Sequence, residues 1–111
     1  MTLFAKIINR EIPADIVYED EWCLAFRDIN PQAPIHLLLI PKQPIDRLVN
    51  AQPDDQALLG HLLLAVGKIT RQFKIENAFR LVVNNGADAG QTVFHLHLHI
   101  LAGRPFHWPP G

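Results

Sequence analysis

Residues 93–101, Val-Phe-His-Leu-His-Leu-His-Ile-Leu, alternate histidine with apolar side chains, and no other stretch restricts the fold so tightly. A period of two is the repeat of a β-strand, and residues two apart project from one face. The spacing predicts a strand with His95, His97 and His99 in one row and Phe94, Leu96, Leu98 and Ile100 on the opposite, core-facing side. A strand of this kind needs a sheet to join and a second layer to cover its apolar face. Solvent-facing strands usually carry Thr, Lys, Glu or Ser. Three imidazoles in register, whose unperturbed pKa lies near neutrality, point instead to chemistry.

The rest of the chain supplies that sheet and that layer. Thr2 reads as the N-cap of a short helix whose apolar residues Leu3, Phe4, Ile7 and Ile8 repeat at helical spacing, with Pro13 marking its end. Ile16–Glu19 and Trp22–Asp28 are predicted strands, separated by the acidic turn Asp20-Glu21 and followed by a loop that Pro31 and Pro34 stiffen. Ile35–Ile40 is apolar after His36, the pattern of a central strand covered on both faces. From Pro53 to Phe73 a proline start, early Asp54 and Asp55, and late Lys68 and Arg71 define one long helix. Its stripe is Leu58, Leu62, Ala65, Val66, Ile69 and Phe73. Phe79–Val83 is a fourth strand and the histidine run a fifth. Between them, residues 84–92 form a loop rich in Asn and Gly that can present bare N–H groups to an anion. The expected fold is α+β, a five-stranded mainly antiparallel sheet with one long helix and a short N-terminal helix. Residues 1–111 read as a single domain, with 102–111 as a C-terminal docking tail.

Composition excludes several functions. The formal net charge is −1, with no Lys/Arg cluster, which argues against a nucleic-acid partner. No stretch approaches the roughly 20 apolar residues of a membrane span, and no leader pattern opens the chain, so a cytoplasmic protein with no membrane partner is expected. Cys23, the one cysteine, lies between strand-forming neighbours and reads as a small buried hydrophobe, not a reactive thiol.

Two chemistries suit histidines in a row. His-x-His on a strand can give zinc two ligands, but His95 and His99 would stand about 13 Å apart along an extended chain. No Cys/His pair at finger spacing supplies the remainder, so no metal is expected. Alternatively, a neutral imidazole attacks a phosphoryl centre and later releases it to water, while flanking imidazoles, when protonated, donate to the oxygens that gain charge. The loop before the strand, with Gly90 and the Thr92 hydroxyl, adds donors at the same end. Neither a Walker-type run nor Gly-x-Gly-x-x-Gly is present.

His95-Leu96-His97-Leu98-His99-Ile100-Leu101 resembles the signature of the histidine triad superfamily. The likeness runs through Phe4–Ile8, Glu11–Ala14, Ala25–Pro34, Asn84-Asn85-Gly86, Gly90-Gln91-Thr92 and the ending His107-Trp108-Pro109-Pro110-Gly111. It is similar above all to the Hint branch, the purine nucleoside phosphoramidases. The resemblance implies that His97 attacks the α-phosphorus of a nucleoside phosphoramidate to form a nucleotidyl-histidine, without cofactor or metal. It implies that His99 contacts phosphate oxygens, that the carbonyl of His95 orients His97, and that His36 and the His95 side chain assist proton handling. Asp28 would grip the ribose hydroxyls. Leu3, Phe4, Ile7, Phe26, Ile29 and Leu38 would form the purine slot, and Asn84, Gly90, Gln91 and Thr92 would hold phosphate or leaving group.

The resemblance further implies a homodimer built through the long helix and the Phe79–Val83 strand, with Trp108 near the partner's site. Thr92 stands where the branch often has serine, and Pro44 where some relatives have histidine. Two other functions remain open on sequence: a dinucleoside polyphosphate hydrolase, and a non-enzymatic purine nucleotide-binding or interaction protein.

Overall fold

The computed structural model describes residues 1–111. Helix α1 (Leu3–Ile8) is followed by strands β1 (Ile16–Glu19), β2 (Cys23–Arg27) and β3 (Ile35–Pro41), helix α2 (Gln56–Gln72), and strands β4 (Arg80–Val82) and β5 (Leu98–Ala102). The five strands form one antiparallel sheet in the order β1-β2-β3-β5-β4, with β3 at its centre. This is the α+β architecture that the sequence predicts. No helix is long and apolar enough to cross a membrane.

Register decides which residues share a face. Ile16, Phe26, Leu38, His99 and Val82 are successive cross-strand partners, a row running across the whole sheet. Ala25, Leu39 and Leu98 form a row on the other side, and there α2 lays down Leu62, Ala65, Val66 and Ile69 to close the larger core. Helix α2 starts at Gln56, three residues later than the proline start expected, because Pro53–Asp55 form a turn of 3-10 helix in which the Gln52 N–H donates to Asp55 Oδ2 at 2.8 Å. The opposite face is covered only in part. Helix α1 packs Phe4 and Ile7 on Leu24, Phe26, Leu38 and Ile40, leaving the neighbouring His99 beside an open cleft.

Helix α1 is capped as expected, Thr2 Oγ1 accepting the Ala5 N–H at 3.1 Å. It stops before Pro13, however. Asn9 is its C-cap and Arg10 takes the left-handed conformation at φ 62°, so the chain turns before proline is reached.

The histidine run differs from expectation in a way that matters. Only Leu98–Ala102 joins the sheet; the last ladder pair is Leu39 with Leu98. Beyond it β3 is ending at Pro41, and residues 93–97 bond to the segment that follows β3. The Leu96 N–H donates to the Ile45 carbonyl at 2.6 Å, and the Gln91 side-chain amide reaches the carbonyls of Asp46 and Val93. The three histidines still share the face opposite Leu96, Leu98 and Ile100, His95 and His97 both packing on Phe4 and His97 lying beside His99, but of the three only His99 lies within the sheet. Phe94, predicted to be core, is exposed, whereas Leu96, Leu98 and Ile100 are buried under α2.

Candidate active site

A cleft of about 310 Å³ opens on the α1 side of the sheet. Its floor and walls include Leu3, Phe4, Ile7, Phe26, Ile29 and Leu38, the whole apolar set expected of a base slot, and Asp28, Thr92, His97 and His99 stand at its polar end. Phe4, Ile7, Phe26 and Leu38 are buried, but Ile29 is 97% exposed and can meet a ligand only at the rim. Ile12, Pro13, Ala14, Arg27 and Val93 also line the cleft. Sequence reasoning missed them because the Ile-Pro-Ala segment has no periodicity and the rest looked like ordinary strand.

The imidazoles are ordered by their hydrogen bonds, and those bonds fix the tautomers. His97 Nδ1 lies 2.8 Å from the His95 carbonyl. A carbonyl can only accept, so Nδ1 carries the proton and Nε2 keeps its lone pair. Edge-on packing by the Phe4 ring, with centroids 4.9 Å apart, holds the imidazole in place. His95 donates from Nε2 to the Pro41 carbonyl at 2.7 Å. Its ring lines a separate hollow with Thr2, Ala5, Lys42 and Phe94. What His95 offers His97 directly is its carbonyl.

His36 and His99 form a second chain. The Gln32 N–H donates to His36 Nδ1 at 3.0 Å, so His36 carries its proton on Nε2. That nitrogen is 2.9 Å from His99 Nδ1 and 3.4 Å from Asp28 Oδ2. The reach to His99 is a diagonal one across the ladder, since His36 is paired with Leu101 and His99 with Leu38. With Nδ1 accepting, the proton of a neutral His99 sits on Nε2, ready to donate. His97 and His99 lie with ring centroids 5.0 Å apart. The pair presents one lone pair and one N–H from adjacent rings.

Burial keeps these groups neutral. It lowers the pKa of His97, against the opposing pull of the His95 carbonyl and Asp28. Burial, then the neighbouring His97 and His36, pushes His99 down to about 4. His36 and His95 are lowered by burial as well. In the free protein these lowered values favour neutral flanking imidazoles, and His99 then donates as a neutral N–H whose polarity is set by tautomer and not by charge.

The loop residues divide. Thr92 is exposed and lines the cleft. Gln91 is buried and braces the loop: Oε1 accepts the Gly86 N–H at 2.8 Å, and Nε2 donates to Asp46 and Val93. The Asn84 amide lies over Gly90, where a Cβ would come within 3.6 Å of its Nδ2. Asn84, Gly90 and Gln91 are thus absent from the cleft lining, as are His36 and His95. Trp108 is 84% exposed on the tail.

Two clusters bring three potential metal ligands within 4.8 Å of one another, Asp28/His36/His99 and Asp20/Cys23/His61. In the first, both His36 nitrogens and His99 Nδ1 are committed to hydrogen bonds. In the second, Asp20 accepts from the Trp22 and Cys23 amides, the Tyr18 hydroxyl and His61, and burial followed by the Asp20 charge pushes the Cys23 thiol up to about 12. Neither donor set fits a metal without dismantling these bonds.

Comparison with known proteins bears on the family and the fold. The model of the HIT domain matches residues 9–106. An uncharacterized HIT-like protein of Synechocystis is 66% identical over 110 residues, covering 99% of this chain and 96% of that one. Among solved structures, a HIT family hydrolase from Legionella pneumophila superposes with a TM-score of 0.97 at 46% identity over the full length of both chains. A histidine triad nucleotide-binding protein from Candida albicans does so at 0.84 and 34% identity, over 98% of this chain and 83% of that one.

Proposed function

Since the chain belongs to the HIT domain family, we propose that it is a hydrolase that binds purine nucleotides and cleaves the P–N bond of nucleoside 5′-phosphoramidates. The observation carrying this reading is the tautomer of His97: proton on Nδ1, bound to the His95 carbonyl, and lone pair on Nε2 beside the N–H of His99. The similar Legionella protein is a HIT family hydrolase and the Candida one a nucleotide-binding protein, which supports the coarser reading of a hydrolase that binds nucleotides.

In this reading the base lies between α1 and the Phe26–Leu38 strands, and Asp28 receives the ribose hydroxyls. His97 Nε2 attacks the α-phosphorus. The P–N bond breaks, its electron pair leaves on the amine nitrogen, and that nitrogen takes up a proton from solvent, to which the cleft is open. The positive charge gained by His97 is stabilised through Nδ1–H on the His95 carbonyl, and the phosphate oxygens accept from His99 Nε2–H. Water then attacks phosphorus, the bond to His97 breaks, and the proton released by water balances the one taken up earlier. Thr92 stands on the leaving-group side, its extra methyl narrowing the space that a serine would leave.

The same reading includes a homodimer. Strand β4 is an edge strand, and Leu63 and Leu64 are exposed on α2, an apolar surface that a second copy would cover. Side-by-side assays of an adenosine phosphoramidate and a diadenosine polyphosphate, with nucleotide binding measured in parallel, test the function. Preferential turnover of the phosphoramidate is expected; binding without turnover of either would overturn the enzyme reading. A monomeric mass at micromolar concentration would overturn the dimer.

A further inference from the structure

The hydrogen bonds that set the tautomer of His36 begin outside the cleft. Its Nδ1 is held by the Gln32 N–H, and the carbonyl of Gln32 accepts from Arg104 Nε at 3.2 Å. Residues 28–34 otherwise brace themselves, through the Asn30 N–H on Asp28 Oδ1 at 2.9 Å and the Gln32 side-chain amide on the Asn30 carbonyl at 3.1 Å. Apart from the ring of His36, Arg104 is the one side chain outside this loop that bonds to its backbone.

Arg104 is placed with care for a residue on an irregular tail. It pairs with no carboxylate. Its guanidinium carbon lies 4.4 Å from the centroid of Phe106, and Arg80 approaches the same ring at 5.1 Å. Arg80 also donates to the His107 carbonyl at 2.9 Å, fastening the tail to β4. One residue earlier, Gly103 turns the chain at φ 96° against Pro34, the last residue of the same loop, where a Cβ would come within 2.8 Å of the proline Cβ. Tail and loop are thus locked together at two adjacent points.

We propose that Arg104 is a positioning residue for the histidine pair: by holding the Gln32 carbonyl it keeps the Gln32 N–H on His36 Nδ1, and so keeps His99 a hydrogen-bond donor at the cleft. The consequence follows from tautomers alone. If His36 loses its fixed donor, only Asp28 Oδ2, 3.4 Å from Nε2, still favours the Nε2–H form; the Nδ1–H tautomer becomes accessible, and in it Nε2 is an acceptor. His99 must then carry its proton on Nδ1, and its Nε2 offers a lone pair where a phosphate oxygen needs a donor. Releasing one residue, Gln32, whose two flanking peptides make these bonds, lets the polarity of the site reverse. The kinetic part rests on the phosphoramidase reading above; the tautomeric part stands without it.

The test uses the full chain with ¹⁵N-labelled histidine, reading ring protonation by NMR in the free protein, alongside kcat and KM for an adenosine phosphoramidate. The wild type should show His36 and His99 as Nε2–H tautomers. Arg104→Ala should show mixed tautomers at both, with kcat reduced on the order of tenfold, the weight of one weakened hydrogen bond, and KM changed much less. Arg104→Lys and Arg104→Gln both retain a donor within reach and should restore part of the tautomer purity and of kcat. If Arg104→Ala is too unstable to measure, Phe106→Leu, which loosens the guanidinium without removing it, should give the same changes in smaller degree. Pure Nε2–H tautomers in these variants, with or without a fall in kcat, would overturn the proposal. Tautomers that shift in a protein with no phosphoramidase activity would leave this inference standing and overturn only the functional reading.

Discussion

Replacing Gln91 separates a structural brace from a substrate contact. Its side chain is buried and makes three hydrogen bonds, from the Gly86 N–H and to the Asp46 and Val93 carbonyls, at 2.8, 2.8 and 3.1 Å. Gln91→Ala leaves all three groups without that partner. At about 1 kcal/mol for each lost bond, with an added penalty for whatever stays dry, the loss should be about 2–4 kcal/mol. In a domain of this size that lowers Tm by roughly 8–16 °C. Gln91→Glu is the sharper probe. A carboxyl facing two carbonyl oxygens in a buried site has a folded pKa above its unfolded value, so its penalty is small at about pH 4 and grows as pH rises and the unfolded state ionises. Thermal unfolding across pH, with kinetics well below both midpoints, reads this out. Stability near that of the wild type combined with a loss of turnover of more than a hundredfold would mean that Gln91 touches substrate, and would refute the argument.

Three further outcomes follow from the packing. His36, His95, His97 and His99 all have lowered pKa values when folded, so the unfolded chain binds protons that the native state refuses. Stability should be full above pH 6.5 and fall as pH drops toward the folded values, with His99, pushed down to about 4, contributing the most; a urea midpoint constant from pH 7 to pH 5 would contradict this. Gly103→Ala combines a positive φ with a close approach to Pro34 and should cost about 2 kcal/mol or more in denaturant unfolding; an unchanged midpoint would show that the tail does not press on that loop. Cys23, buried and with its thiol pushed up to about 12, should resist iodoacetamide in the native protein and react in urea, whereas rapid native alkylation would mean that the strand opens.

The periodic elements were legible because their signals are local. Thr2 as a cap, the apolar run of β3 and the stripe of α2 each announce one element, and all three occur as read. The histidine run was legible only in part. Alternation is a local signal and predicted strand throughout, but where β3 stops is decided by the chain that follows Pro41, and no period in residues 93–97 records that partner. Gln91 shows the same limit: an amide beside an active-site loop reads as a ligand donor until the carbonyls of Asp46 and Val93, one of them 45 residues away, are seen to occupy it. The Arg104–Gln32 bond spans 72 residues and left no pattern at all.

The central claim is that His97 Nε2, made available by the Nδ1–H bond to the His95 carbonyl, forms the covalent intermediate. Rapid-quench mass spectrometry of the wild type with an adenosine phosphoramidate tests it directly. The account predicts a nucleotidyl adduct on His97, absent from His97→Ala, with nucleotide affinity largely kept and turnover reduced by several orders of magnitude, about 1.4 kcal/mol of barrier for each tenfold. An adduct on His95 or His99, or substantial turnover by His97→Ala, would contradict it.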